Sequence, residues 1–180
     1  MGKTGNNVLD TIFSRFSYRG QFKDTAVPRA DLETIVRAGF AAPSGCNRQT
    51  TAFVAIDSPE KVAAIKRIFK KPSCQSAPAF ILVFTQRIEG VDGQYYNVED
   101  FAAAMENMIL AIEAMGYATC WYQGSIRNCK KELAKIVKMP EQYTTACLLP
   151  VGIAAEENPQ RAQKKPFAER AWFNEYLSNR

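Results

Sequence analysis

One uninterrupted apolar segment, Ala79-Phe80-Ile81-Leu82-Val83-Phe84, limits the folds that are open to this chain. Pro78 bounds it on one side, and the polar pair Gln86-Arg87 follows it on the other. A short apolar run without polar alternation is typical of a strand that is buried on both faces. The segment therefore predicts a central strand of a sheet.

A second apolar segment, residues 98–115, has the spacing of a helix. Its large apolar side chains recur at intervals of four and three residues from Phe101 to Met115, and only Glu106 and Glu113 carry charge between these two positions. A helix that is apolar nearly all round is buried on several sides. Two interpretations stay open: a helix at the centre of the core, or one shared between the core and a dimer interface.

Hydrophobic periodicity and capping residues predict the remaining elements. Ser58-Pro59-Glu60, for example, offers an N-cap followed by proline at the first helical position. Helices are expected over residues 8–16, 31–41, 59–70, 127–138 and 168–177, and strands over residues 50–56, 118–123 and 146–152.

Length and cysteine usage favour a single domain in a reducing compartment. The 180 residues suffice for one substantial core and are too few for two ordinary domains, so one domain over residues 1–180 is expected. The five cysteines form no Cys-x-x-Cys pair, which favours the cytoplasm. We find neither an apolar signal-peptide core at the start nor a run long enough for a membrane span, and expect no membrane partner.

The chain contains no histidine. This absence excludes Ser-His-Asp and Cys-His catalysis as well as zinc sites with histidine ligands, and no metal site is expected. The net charge of +5 suggests anionic ligands, but the cations are scattered without a nucleic-acid-binding signature, so no nucleic-acid partner is expected. Any chemistry is therefore expected to come from a cofactor.

The segment Arg15-Phe16-Ser17-Tyr18-Arg19 follows the first predicted helix. Arg15 and Ser17 lie two residues apart where the chain leaves that helix, so both side chains could reach one phosphate. Guanidinium and hydroxyl groups form charge-assisted hydrogen bonds to phosphate. Taken alone, two arginines at this spacing are more often part of a solvated surface.

A second polar segment, Ala42-Pro43-Ser44-Gly45-Cys46-Asn47-Arg48-Gln49, follows the second predicted helix. Pro43, Ser44 and Gly45 form a turn that ends the helix, and the glycine permits a close approach of the backbone to a ligand. Asn47 and Gln49 offer amide donors and acceptors. Such groups suit the flat, polar edge of a heterocyclic ring.

The order R-x-S-x-R, helix, A-P-S-G-x-N-x-Q, strand resembles the nitroreductase family of FMN-dependent oxidoreductases. The resemblance continues in Gly116-Tyr117-Ala118-Thr119-Cys120-Trp121, which is similar to the glycine-aromatic strand before the flavin face, and in Gln123-Gly124, where backbone amides approach flavin N5. Pro150-Val151-Gly152 and Lys164-Lys165-Pro166-Phe167 resemble the closing strand and a basic phosphate motif. The likeness covers about residues 8–170.

The resemblance implies a fold and a set of FMN ligands. The fold is α+β, with a central, mainly antiparallel sheet of four to five strands wrapped by helices. Arg15 and Ser17 match phosphate and ribityl ligands, Arg19 the cation near flavin N1 and O2, and Asn47 a ligand of the pyrimidine edge. Pro43, Ser44, Gln49, Gln123 and Gly124 complete the expected ring contacts. Lys164 or Lys165 matches a second phosphate cation.

The sequence departs from the family at two points. Lysine stands at residue 164 where arginine is common, and Gln49-Thr50-Thr51 stands where the family usually has Gln-Pro-Trp. The loss of that tryptophan could alter the substrate pocket.

The function implied by the resemblance is reduction of a nitroaromatic, a quinone or a related electrophile. NADH or NADPH would give a hydride to FMN, leave, and be replaced by the acceptor, and the family implies a homodimer. Fold similarity leaves alternatives open: flavin fragmentation or reductive dehalogenation on the same scaffold, or a protein that only binds or stores FMN.

Overall fold

Three antiparallel strands form the sheet at the centre of the molecule. The computed structural model describes residues 4–156 and 161–176. Within these, β1 (Thr51–Ile56), β2 (Ala79–Thr85) and β3 (Thr144–Val151) lie in the order β1-β2-β3. All seven residues of β2 are buried, which confirms the central strand predicted from the apolar run.

Helices cover both faces of this sheet. Asn6 caps α1 (Asn7–Ser14), whereas α2 (Arg29–Phe40) begins after Pro28 without a side-chain cap, and Ser58 caps α3 (Pro59–Ile68). The further helices are α4 (Pro72–Ser76), α5 (Asn97–Ala114) and α6 (Lys130–Ile136). None of the helices in the described part of the chain is long and apolar enough to cross a membrane.

Alternate residues of β2 face two separate cores, as the period of two in a strand requires. Phe80 and Leu82 pack in one core with buried side chains of α3 and α6. Ile81 and Val83 pack in the other with side chains of α2 and α5. The helix predicted over residues 98–115 is α5, and its Phe101, Met105, Met108 and Ile112 are buried.

The prediction of four to five strands is wrong for the described residues, because the fourth expected strand is interrupted. Residues 118–123 run antiparallel to β3 but make only two isolated bridges, Ala118 to Gly152 and Tyr122 to Leu148. The register places Cys120 opposite Pro150 between these bridges. Proline has no N–H to donate at the position where the ladder requires one. The segment therefore lies beside the sheet without becoming a continuous strand.

The helix predicted over residues 168–177 is also not observed. Residues Phe167–Glu169 form a single 3₁₀ turn, and no helix is assigned to residues 170–176. Asn174 adopts a left-handed conformation with φ of 65°, which an α-helix cannot accommodate. The predicted endpoint, Leu177, lies outside the described residues.

Candidate functional site

Arg15 lies at the C-terminal end of α1 and pairs with α5. Its Nε lies 3.2 Å from Oε1 of Glu106, and the neighbouring Ser14 hydroxyl donates to Oε1 of Glu113 at 2.7 Å. These two contacts fix the end of α1 along one stripe of α5. Within the described residues no hydrogen bond is found for the two terminal nitrogens of the guanidinium, so both can donate to another anion.

Ser17 and Arg19 leave polar groups free beside this ion pair. No partner for the Ser17 hydroxyl is found within the residues that the structure describes, and the exposed Arg19 makes only a long bond, 3.4 Å from Nη1 to the Ser17 carbonyl oxygen. Between them, the N–H of Tyr18 donates to the carbonyl of Thr119 at 2.8 Å. This bond brings the segment 15–19 against the interrupted fourth strand.

The positive charge of Arg19 interacts with the Cys120 thiol in the interrupted fourth strand. Burial raises the pKa of the Cys120 thiol, while the nearby Arg19 guanidinium acts in the opposite direction. Arg19 therefore lies close to residues 119–120 as well as to Ser17.

Arg161, a cation that was not among the predicted ligands, lies against Ser14 and Phe16, beside Arg15. Its Nη1 donates to the carbonyl of Ser14 at 2.7 Å, and its guanidinium carbon lies 4.6 Å from the centre of the Phe16 ring. The predicted cations Lys164 and Lys165 are exposed, and Lys165 is 3.9 Å from the Glu169 carboxylate. The available signal was that an arginine, the residue type common at this motif, stands three positions before Lys164.

The polar loop after α2 has an unusual backbone. Gly45–Asn47 form a 3₁₀ turn, and Cys46, Asn47 and Gln49 all have positive φ, near 50°. The Gln49 N–H donates to Oγ of Ser44 at 3.0 Å, and its side-chain amide donates to Oδ1 of Asn47 at 3.3 Å. Pro43, Asn47 and Gln49 are exposed, so the loop presents amide groups to its surroundings.

This loop is attached to a different part of α5 from the segment 15–19. The N–H of Gly45 donates to Oδ1 of Asp100 at 2.7 Å, whereas Arg15 contacts Glu106. Six residues correspond to about 9 Å along an α-helix and about 240° around it. The two predicted halves of the site therefore occupy different faces of one helix within a single protomer.

A small cavity adjoins the loop. It has a volume of about 170 Å³, and Pro43, Ser44, Gln49 and Thr51 are among its lining residues. The Thr51 hydroxyl is buried, and no hydrogen-bond partner for it is found in residues 4–156 or 161–176. The loop thus borders a space with polar groups that protein atoms do not fully satisfy.

Gln123 and Gly124 lie in an exposed turn next to β3. The Cys147 thiol is 4.0 Å from Oε1 of Gln123 and accepts a hydrogen bond from the Trp121 indole at 3.0 Å. Burial raises the pKa of this thiol to about 12, so it stays protonated. A Cβ added at Gly124 would meet nothing within 4 Å, which leaves the backbone there open to a ligand.

Comparison of the sequence with protein families shows which family the chain belongs to. The Nitroreductase family model matches residues 12–73 and 69–153, which is most of the chain. The chain belongs to the nitroreductase family. Within the described residues, no group of three or more cysteine, aspartate or glutamate side chains is placed to hold a metal ion.

Named proteins are similar over three quarters or more of the chain. An NADPH-dependent oxidoreductase of Staphylococcus haemolyticus is 28% identical over 96% of this chain and 75% of its own length. An iodotyrosine deiodinase of Haliscomenobacter hydrossis is 27% identical over 76% of this chain and 74% of its own length. A crystal structure from Bacteroides thetaiotaomicron, provisionally described as an NADH dehydrogenase/NAD(P)H nitroreductase, has a TM-score of 0.81 and 27% identity, covering 96% of this chain and 100% of that one.

Proposed function

We propose that this nitroreductase-family protein binds FMN and uses it to reduce a nitroaromatic, a quinone or a related electrophile at the expense of NADH or NADPH. It is an NAD(P)H-dependent oxidoreductase, and relatives named as such span most of its length. The observation that carries the FMN assignment is the convergence of three arginines, Arg15, Arg19 and Arg161, on the segment that holds Ser17, whose hydroxyl has no partner among the described residues.

The donors on this segment suit a phosphate. Phosphate is a dianion with three acceptor oxygens, and the segment offers a hydroxyl and guanidinium nitrogens for which residues 4–156 and 161–176 supply no carboxylate partner. Only Arg15 among the three arginines forms a described ion pair, and it does so through one nitrogen. We propose Arg15, Ser17 and Arg161 as phosphate ligands, with Lys164 or Lys165 as a further cation and Arg19 as the cation beside flavin N1 and O2.

The polar loop supplies the groups that a flavin edge requires. Asn47 and Gln49 present amides, while Pro43 and Ser44 border the adjoining cavity. Because this loop and the segment 15–19 occupy different faces of α5, we propose a homodimer in which FMN lies between protomers.

An exposed apolar surface on α1 supports the dimer. Within α1, Val8 is 68% exposed, Leu9 42%, Ile12 42% and Phe13 49%, and the helix has no buried residue. Four large apolar side chains in one exposed cluster are typical of an interaction surface. The proposed dimer covers this face.

FMN, when bound, would supply the hydride chemistry. The chain's own residues would bind the phosphate, orient the ring and hold positive charge near its pyrimidine edge. The backbone at Gln123 and Gly124 would face the reactive side of the ring. No histidine is present to move protons, so the product's proton would come from solvent or from the cofactor.

Reductive dehalogenation is the second candidate. It is favoured by the iodotyrosine deiodinase relative, which covers about three quarters of this chain. That activity would use the same FMN site and differ only in the acceptor.

An anaerobic titration tests the proposal. The purified protein should be yellow and should lose its flavin absorbance on addition of NADPH or NADH. Addition of a quinone, a nitroaromatic or a halogenated phenol to separate reduced samples should then restore the absorbance with the preferred acceptor class. A protein that binds FMN but keeps its full absorbance with both nicotinamides would contradict the reductase function.

A further inference from the structure

A buried carboxylate of α5, Asp100, holds the polar loop at Gly45, within the loop, and at Thr50, the residue that follows it. Its Oδ1 accepts from the N–H of Gly45 at 2.7 Å, and its Oδ2 accepts from the Thr50 hydroxyl at 2.7 Å. Asp100 is 4% exposed and Thr50 is 1% exposed. Both carboxylate oxygens are therefore used inside the protein, one by the loop and one by the residue that follows it.

Two hydrogen bonds and the N-terminal end of α5 stabilise the negative charge of Asp100. No described ion pair includes Asp100, so its compensation comes from the two short hydrogen bonds and from its position in the first turn of α5. Acidic side chains are stabilised at the N-terminal end of a helix, and hydrogen bonds to a carboxylate are stronger than neutral ones. A buried carboxylate with this arrangement fixes its partners firmly.

The backbone conformation of the loop requires stabilisation by its surroundings. Cys46, Asn47 and Gln49 all adopt left-handed conformations, which non-glycine residues hold only when the surroundings impose them. Hydrogen bonds within the loop join exposed groups to one another, whereas the bonds to Asp100 join it to a buried helix.

Gly45 makes the contact with α5 possible. A Cβ at Gly45 would lie 2.4 Å from atoms of the Tyr96 side chain, immediately before α5 begins. The loop is therefore pressed against the start of α5, with Asp100 one turn further along.

We infer that Asp100 is a positioning residue for flavin recognition. Its hydrogen bonds to Gly45 and Thr50 fix the backbone conformation in which Asn47 and Gln49 face the flavin edge. This inference rests on the proposed function. Asp100 also lines the small cavity beside the loop, and in this inference it acts through Gly45 and Thr50, whereas Asn47 and Gln49 contact the flavin.

Substitutions at Thr50 separate positioning from stability. Thr50→Val keeps the shape and removes the hydroxyl, whereas Thr50→Ser keeps the hydroxyl. Thr145→Val is a matched control, because Thr145 is also a buried threonine near the start of a strand, and its hydroxyl donates to the carbonyl of Lys130 in α6 at 2.8 Å rather than to Asp100. For each full-length variant, the dissociation constant of FMN is measured by flavin fluorescence, and the melting temperature is measured without FMN.

Thr50→Val should bind FMN about tenfold or more weakly, and Thr50→Ser should stay within about twofold of the parent protein, as expected for one hydrogen bond to a charged group. Thr145→Val should lower the melting temperature while leaving FMN affinity within about twofold. FMN affinity that is unchanged in Thr50→Val overturns the inference. A loss in Thr145→Val as large as that in Thr50→Val also overturns it, because affinity would then follow stability alone.

Variants of Asp100 provide a second test if Thr50→Val does not fold. Asp100→Asn keeps an acceptor for Gly45 and can donate to the Thr50 oxygen, so its FMN affinity should stay near that of the parent. Asp100→Ala loses both contacts and should bind FMN at least about tenfold more weakly. Equal affinities in these two variants would overturn the inference. If the parent protein itself binds no FMN, the proposed function fails instead, which distinguishes the two failures.

Discussion

Arg15 pairs with a carboxylate of the protein and is also proposed to bind the phosphate of FMN. Its Nε is paired with Glu106, so a glutamate at residue 15 would face both that carboxylate and the proposed phosphate. We predict that Arg15→Glu folds but does not retain FMN. Loss of one charge-assisted hydrogen bond costs about 1.5–3 kcal/mol, roughly 10- to 150-fold in affinity, and repulsion adds to it. The measurement is FMN content per chain after purification, with circular dichroism as the check of folding.

Arg37→Glu is the matched control for this prediction. Arg37 also pairs with a glutamate, Glu33, on the exposed surface of α2. Its substitution should leave FMN content unchanged. Full FMN occupancy in Arg15→Glu would remove Arg15 from the phosphate site.

For individual side chains, the sequence suggests a type of chemistry more readily than a position in space. The residue types of Arg15, Ser17 and Asn47 were sufficient to suggest anion and amide recognition. For Arg161 the residue type was an available signal, but its contact with Ser14 was not predictable, because that contact depends on how a distant segment crosses the fold. Asp100 was missed because an acidic residue in a helix's first turn is ordinary, and only the structure shows that it is buried and binds Gly45 and Thr50.

Helices and strands could be predicted where a local sequence pattern was sufficient to specify them. The apolar run of β2 and the spacing in α5 specify buried elements by themselves. The strand expected over residues 118–123 failed because pairing depends on its partner, and Pro150 of β3 lacks the N–H that the ladder needs opposite Cys120. That fact becomes visible only once the register between two distant segments is known.

The apolar face of α1 leads to a prediction about assembly. Phe13 lies on this face and is 49% exposed. A charge buried in a dimer interface without a partner is strongly unfavourable. Phe13→Glu should therefore shift the protein from dimer to monomer in sedimentation at micromolar concentration, with loss of FMN. Val91→Glu serves as the control, because Val91 is 84% exposed and is not part of α1, so its substitution should leave the dimer intact. A parent protein that sediments as a monomer with FMN bound would contradict the proposed dimer.

For the whole molecule, the absence of histidine sets the expected response to pH. Most proteins that move protons near neutrality use imidazole. Several buried or hydrogen-bonded thiols and phenols have pKa values that are raised further above neutrality. Burial raises the pKa values of Cys74, Cys147 and Tyr122 to about 12, and the hydrogen bond that Tyr117 donates to Asp31 raises the pKa of Tyr117 to about 12. These four groups all stay protonated between pH 6 and 8.

The reaction of the reduced enzyme with a quinone should therefore depend little on pH. Hydride transfer to the acceptor must be accompanied by a proton, and water or the cofactor is left to supply it. We predict that the rate of this half-reaction, followed by stopped flow, changes less than about threefold between pH 6 and 8, since no side chain in the sequence has an unperturbed pKa in that window. The same experiment at fixed ionic strength with deuterated solvent should slow the reaction if the solvent proton moves in the rate-limiting step. A steep dependence with an inflection near pH 6.5 would instead require a carboxylate, thiol or lysine with a strongly shifted pKa at the site. The solvent-proton mechanism would then be wrong.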